Sequence, residues 1–307
     1  MEKKNFEEIA ALWLDDKKLY VKRSTYAVYS LMMVNHLVPA FGQAEDVTEE
    51  MVQDFVLQKL DAGLSRKTVK DILIVLMMIR RYAVKNGHMP HREIDVRFPT
   101  EREKPEVTVL SRNRQKEIME YVQEHPTNMN LGIYICLCAG LRIGEMCALK
   151  WGDIDLSSGV INITKTLQRI YIAEEGHKHT ELIIGTPKTA TSIRQIPIPR
   201  ELRKMIRQFK TTADRAAYVL TDSLHPTEPR TYRNYYKKLL QKLNIPESKF
   251  HGLRHSFATR CIESHCDYKT VSSLLGHSNI STTLNLYVHP NMEQKQRCVE
   301  QMFRSLR

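Results

Sequence analysis

No stretch of this sequence is both apolar and long. The longest uncharged apolar runs, residues 72–79 and 131–141, fall well short of the ~20 residues that span a bilayer. The start, Met1-Glu-Lys-Lys-Asn-Phe-Glu-Glu, lacks the apolar core of a secretory signal. A soluble, intracellular chain with no membrane partner is expected. The cysteines at 136, 138, 147, 261, 266 and 298 form no CxxC pair, and in that setting they are expected to stay reduced. Cys261, His265 and Cys266 are close in sequence but fit no standard finger spacing, so no metal site is expected. Walker A, GxGxxG and GxSxG patterns are also missing. His251 and His255 have the i, i+4 spacing that can hold zinc, yet the zincin pattern needs Glu after the first His, where Gly252 stands.

What is present is length and positive charge. The 307 residues suffice for about two domains with real cores. An apolar share of 42% and a charged share of 26% are ordinary globular usage and exclude collagen-like or wholly disordered chains. Lys and Arg number 46 against 35 Asp and Glu, a net of +11. Residues 1–100 hold 15 basic and 14 acidic side chains, leaving 31 and 21 for the remainder. The excess therefore sits in the second part of the chain, where a polyanion is the natural partner.

The first ninety residues read as helices. Phe6, Ile9, Ala10, Leu12, Trp13 and Leu14 make one apolar face. Ser24 and Thr25 are placed to cap a second helix through Leu37, with a stop near Pro39 and Gly42. Thr48 opens a third, ended by Gly63, and Ser65 caps a fourth in which Val69, Ile72, Leu73, Leu76, Ile79 and Ala83 recur at helical spacing. From 89 to 109, Pro90, Pro99 and Pro105 alternate with charges and periodicity is lost, a linker signature. Helices are expected at 111–125 and 129–141. Strand-like runs follow at 160–164, 170–172, 182–184 and 192–198, as in one small antiparallel sheet, and helices resume from Arg200. The expected fold is α+β but mostly α. It comprises a helical domain at 1–88, a linker at 89–109, a helical domain with a small sheet at 110–290, and a terminal helix at 291–307.

Chemistry-bearing residues concentrate in the basic part. Arg142 follows an apolar helix and a Gly turn, with Glu145 after it. Lys188 sits between strand-like runs, and His251 and Arg254 share a helix face. His277 follows Leu274-Leu-Gly, and Tyr287 stands ten residues on.

Five segments in order resemble the tyrosine site-specific recombinases of the phage-integrase type. They are Ala139-Gly-Leu-Arg-Ile-Gly-Glu, Thr186-Pro-Lys-Thr with Ser192-Ile-Arg-Gln-Ile-Pro, His251-Gly-Leu-Arg-His-Ser-Phe-Ala-Thr, Leu275-Gly-His-Ser, and Thr282-Thr-Leu-Asn-Leu-Tyr. The resemblance covers nearly the whole chain. It implies a SAM-like core-binding domain ahead of a catalytic domain, and it assigns roles. Tyr287 is implied as the nucleophile that forms a 3′-phosphotyrosine, and Arg142 and Arg254 as holders of the scissile phosphate. Lys188 is implied as the acid for the 5′-oxygen, His251 as an aid to proton transfer, His277 as a phosphate ligand and Glu145 as a buttress of the arginines. The chemistry is coherent. A phenol of pKa ~10 is ionised in only about one molecule in a thousand at pH 7, and neighbouring cations favour both the phenolate and a pentacoordinate phosphorane. No carboxylate cluster stands among these motifs to hold magnesium, so covalent catalysis without cofactor, metal or ATP is expected.

The resemblance further implies double-stranded DNA sites as partner, a tetramer on two sites, a Holliday junction, and accessory excision or host bending proteins. The expected location is cytoplasmic, with the nucleoid. The chain opens directly on the helical domain, so a preceding arm-binding domain is expected to be missing. Two alternatives stay open: a type IB topoisomerase, and a DNA-binding protein that no longer cuts. Past Pro290, Met292, Val299, Met302, Phe303 and Leu306 fall on one helix face; folding back on its own domain stays open, and the resemblance favours docking on a neighbouring protomer.

Overall fold

Polar side chains start the helices at the points where the apolar periodicity breaks. In a computed structural model, which describes residues 4–100, 109–174, 177–187, 189–210, 214–287 and 292–306, Asn5 and Glu8 form a reciprocal cap on α1 (Phe6–Lys18). Helix α2 (Arg23–Met32) begins at Lys22 without a side-chain cap, so Ser24 and Thr25 lie inside it. Of the expected stop near Pro39 and Gly42, Pro39 is passed and the helix ends at Phe41 with Gly42 as its C-cap. A π turn over Met33–Leu37 carries the helix into α3 (Val38–Phe41), and Pro39 occupies the opening turn, where a missing N–H is tolerated. Thr48 caps α4 (Glu49–Asp61) and Ser65 caps α5 (Arg66–Lys85). Phe6, Ile9, Trp13, Phe41, Ile72 and Leu76 meet in the core of this bundle.

Residues 89–99 form neither helix nor strand, yet they are held on the bundle. Glu49 accepts from the Asp95 amide at 2.8 Å, and Gln53 exchanges two bonds with the Arg97 backbone at 2.9 and 3.0 Å. Arg66 donates to the Pro99 carbonyl, and Phe98 lies beneath Arg66 and Lys70. The chain divides into two compact units, Met1–Lys104 with Ile170–Glu181, and Pro105–Arg169 with Leu182–Arg307. Residues 101–108 lie outside the described set.

In the second unit, α6 (Arg112–Glu124) and the almost wholly buried α7 (Asn128–Ala139) are capped by Ser111 and Thr127. Short α8 (Ile143–Ala148) follows, then β1 (Ile154–Asp155), β2 (Val160–Ile163), β3 (Thr166–Glu174), β4 (His177–Gly185) and β5 (Arg194–Pro197), the Ile170–Glu181 portion of β3 and β4 belonging to the first unit. The strands make two sheets rather than the one expected. Antiparallel β1-β2-β5 pairs Ile161 with Ile196 and Ile163 with Arg194, and β3-β4 is a separate two-stranded sheet. Helices α9 (Arg200–Lys210), α10 (Pro229–Lys242), α11 (His251–Glu263), α12 (Tyr268–Leu275), α13 (Ile280–Tyr287) and α14 (Met292–Ser305) complete the unit. Helix α11 packs on α7 and α12, over a core that includes Leu131, Ile135, Trp151, Ile161, Tyr232 and Leu253. Among the described residues no helix is long and apolar enough to cross a membrane.

Candidate active site

Two left-handed glycines fix the frame of the site. Gly140 ends α7 at φ +63° and Gly276 ends α12 at φ +64°, a backbone state costly for any side chain with a Cβ. Each presents its carbonyl to an arginine. Buried Arg254 of α11 donates to Gly140 O at 2.8 Å and to Leu275 O at 2.6 Å. Arg142, ahead of α8, donates to Gly276 O at 3.2 Å. A helix C-terminus carries partial negative charge on its last carbonyls, so the end of α12 is a natural seat for cations.

Glu145 sits behind them. As the third residue of α8 it accepts from the Arg142 amide at 2.9 Å and from Arg142 Nη1 at 2.8 Å. Its carboxylate also receives both terminal nitrogens of Arg194, at 3.0 and 2.9 Å. Burial alone would raise its pKa, but the Arg194 and Arg142 bonds and charges outweigh that and hold it below the ordinary carboxylate range.

Neutral imidazoles share this cationic pocket. Burial, then the charges of Arg254 and Arg142, push His277 down to about 4. His251 is likewise lowered to about 4 by burial, its neighbour His255, Arg254 and Arg142. The His251 and His255 rings meet edge to face at 4.5 Å. His277 Nδ1 lies 2.8 Å from the hydroxyl of Thr283 on α13.

The structure thus gathers Arg142, Glu145, His251, Arg254 and His277 from three sequence segments. Lys188 lies outside the described residues. Tyr287 is the last residue of α13, and its side chain lies outside the described set. Two members were not legible as such in sequence. Arg194 stands within Ser192-Ile-Arg-Gln-Ile-Pro, and its one signal is a charge in a strand whose neighbour Ile196 is buried. Thr283 reads as an ordinary helix residue. The five described cysteines are free, and burial raises Cys138 and Cys147 to about 12, so neither is a thiolate nucleophile at neutral pH.

The set of cations, neutral imidazoles and a buried carboxylate brace suits an anionic, tetrahedral ligand. The phage integrase family model matches residues 108–294, and that of the phage integrase N-terminal SAM-like domain matches residues 5–59. A tyrosine recombinase XerC-like protein of Caldanaerobacter subterraneus subsp. tengcongensis is 31% identical over 271 residues, covering 81% of this chain and 69% of that one. The ICEBs1 integrase of Bacillus subtilis is 25% identical over 314 residues, covering 95% and 81%. Among solved structures, the Tn1549 transposon integrase in complex with a circular intermediate DNA superposes with a TM-score of 0.79 at 22% identity, covering 98% of this chain and 100% of the other. Lambda integrase bound to DNA gives 0.64 at 16% identity, covering 89% and 92%.

Proposed function

This chain belongs to the phage integrase family and is a tyrosine recombinase, an enzyme that breaks and rejoins DNA strands, and from that premise we propose that it exchanges strands between two specific duplex sites for the integration or excision of a mobile element. The observation that carries this reading is the arginine pair. Arg142 and Arg254 are seated on the carbonyls of Gly276, Gly140 and Leu275, beside two imidazoles that are neutral at pH 7.

In the proposed reaction the two guanidiniums hold the non-bridging oxygens of the scissile phosphate and balance the charge of the pentacoordinate transition state. The Tyr287 oxygen attacks phosphorus. A new P–O bond to tyrosine forms as the P–O5′ bond breaks, the phenolic proton passes toward His251, and Lys188 supplies a proton to the leaving 5′-oxygen. With Nδ1 accepting from Thr283, His277 Nε2 carries the ring N–H and donates to a phosphate oxygen. A bound phosphate adds negative charge among these groups and lifts both histidine pKa values toward the working range. The phosphotyrosine conserves the bond energy, so a 5′-hydroxyl from the second duplex reverses the step without water or nucleotide.

Four protomers on two sites, acting in the cytoplasm, would exchange one strand pair at a time through a Holliday junction. Excision or bending proteins would set the direction. The exposed apolar face of α14 is assigned to a neighbouring protomer in that assembly. The test is a two-site plasmid incubated with the full chain in EDTA and without ATP. Recombinant product is expected. Relaxation without exchange would point instead to a topoisomerase, binding without any cut to a regulatory protein, and strict dependence on magnesium would contradict the mechanism.

A further inference from the structure

Arg194 has no role in the reaction as drawn, yet its side chain is only 5% exposed and grips a Glu145 side chain that is 2% exposed. A guanidinium carries five N–H donors. Arg194 directs four bonds inward: two to the Glu145 carboxylate, one from Nε to Leu274 O at 2.6 Å, and one from Nη1 to Ser192 O at 3.0 Å. Arg142 is turned differently. It gives one side-chain bond to Glu145 and one to Gly276 O, and 34% of its side chain is open to solvent. The two arginines share Glu145 Oε1, but only Arg194 engages the carboxylate as a two-pronged fork.

A fork-to-fork pair is the strongest arrangement a carboxylate and an arginine make. We propose that Arg194 is a positioning residue that occupies this fork, so that Glu145 orients Arg142 without capturing it and Arg142 stays available to the scissile phosphate. The proposal rests on the reading of Arg142 as a phosphate ligand.

Two consequences of losing Arg194 act in the same direction. Glu145 would remain buried with Arg142 as its near cation, and that pair would close into the fork. The summed charge of Arg142, Arg194, Arg254 and Glu145 would also fall from +2 to +1, the two histidines being neutral. Both changes weaken the hold on an anionic phosphate. The backbone repeats the coupling. Leu274, Leu275 and Gly276 give their carbonyls in turn to Arg194, Arg254 and Arg142, so Arg194 pins the helix end from which Gly276 reaches Arg142.

The experiment is single-turnover cleavage of a nicked site by the full chain. Two substrates are compared: one with an ordinary scissile phosphate, and one with a methyl group in place of a non-bridging oxygen, which removes the negative charge. Arg194→Ala should bind DNA with nearly unchanged affinity and cleave the ordinary site about tenfold slower or more, as loss of an outer positioning partner does. Its defect should largely vanish on the neutral substrate. Arg194→Lys keeps the charge but loses the fork, so it should fall between wild type and Ala with the same substrate contrast. If the Ala variant shows no folded melting transition, the Lys variant decides by that contrast. Wild-type rates on the ordinary site, or equal defects on both substrates, would overturn the proposal. Arg142→Ala cleaving at the wild-type rate would instead sink the phosphate-ligand reading beneath it.

Discussion

Nδ1 of His277 lies 2.8 Å from the hydroxyl of Thr283, a fully buried residue one helical turn before Tyr287 on α13. The bond ties the imidazole proposed to meet the phosphate to the helix that carries the proposed nucleophile. It also couples to the ring tautomer: when Nδ1 accepts from the hydroxyl, Nε2 carries the ring proton. Thr283→Val keeps the shape and removes the hydroxyl. Cleavage should slow by about 3–10-fold, matching a hydrogen bond worth ~1 kcal/mol, while Thr283→Ser should cleave near the wild-type rate. Equal rates for Val and Thr in single-turnover assays would show that the bond has no part in catalysis.

Stability should fall as pH is lowered from neutrality. Burial and nearby cations lower His36, His251, His255 and His277, the second and fourth to about 4. Their folded pKa lies below the unfolded value near 6.5, so between roughly pH 6.5 and 4 the unfolded chain binds more protons. The stabilisation is complete above that window and lost through it. Glu145, also lowered, adds a loss at more acid pH. Melting temperature against pH should therefore drop across this range, and a His251→Gln, His277→Gln double variant should drop less. A double variant with the wild-type slope would contradict the assignment.

The two frame glycines should not accept alanine. A Cβ on Gly140 would stand 2.5 Å from a Phe257 ring carbon, and one on Gly276 would stand 3.0 Å from the Thr191 carbonyl oxygen. The left-handed backbone adds ~1–2 kcal/mol by itself. Each Gly→Ala variant should thus lose at least about 1–2 kcal/mol in urea unfolding. The Gly276 change should also lower cleavage in the residual folded protein, since it shifts the carbonyl that seats Arg142.

Helix α14 should matter to assembly rather than to first contact with DNA. Phe303 is 62% exposed and Leu306 75%, on a face with Met292, Val299 and Met302. Such a stripe is costly to leave in water. Deleting residues 291–307 should leave single-site gel shifts largely intact while weakening the paired-site complex and recombination. Unchanged synapsis would refute docking on a neighbouring protomer.

Much of the candidate site was legible because its residues lie in short motifs whose order resembles that of the family. Arg142 and Glu145 are three apart at a helix start, and His251 and Arg254 are three apart on one face. What was hidden depended on contacts between distant segments. Arg194 gives no spacing signal toward Glu145 or Leu274, and its inward turn appears only once β5 and α12 are packed. Thr283 is one helix threonine among others until His277 is placed beside it. The first unit's helices were readable from their apolar stripes, and α4 and α5 also from the Thr48 and Ser65 caps, but the uncapped start of α2 and the π turn after Met32 were not, because Ser24 and Thr25 read as caps and Pro39 reads as a stop until its position in the first turn of α3 is known. Alternation marked the strands without saying which pair, so two sheets looked like one.

The most direct measurement is of the covalent bond itself. A nicked site bearing a labelled strand is incubated with the full chain, the SDS-resistant adduct is digested with protease, and the modified peptide is sequenced by mass spectrometry. Nucleotide attached through a 3′-phosphate to Tyr287 is the expected result, with no adduct from Tyr287→Phe despite nearly unchanged DNA affinity. An adduct formed by the Phe variant, or mapped to another residue, would contradict the account.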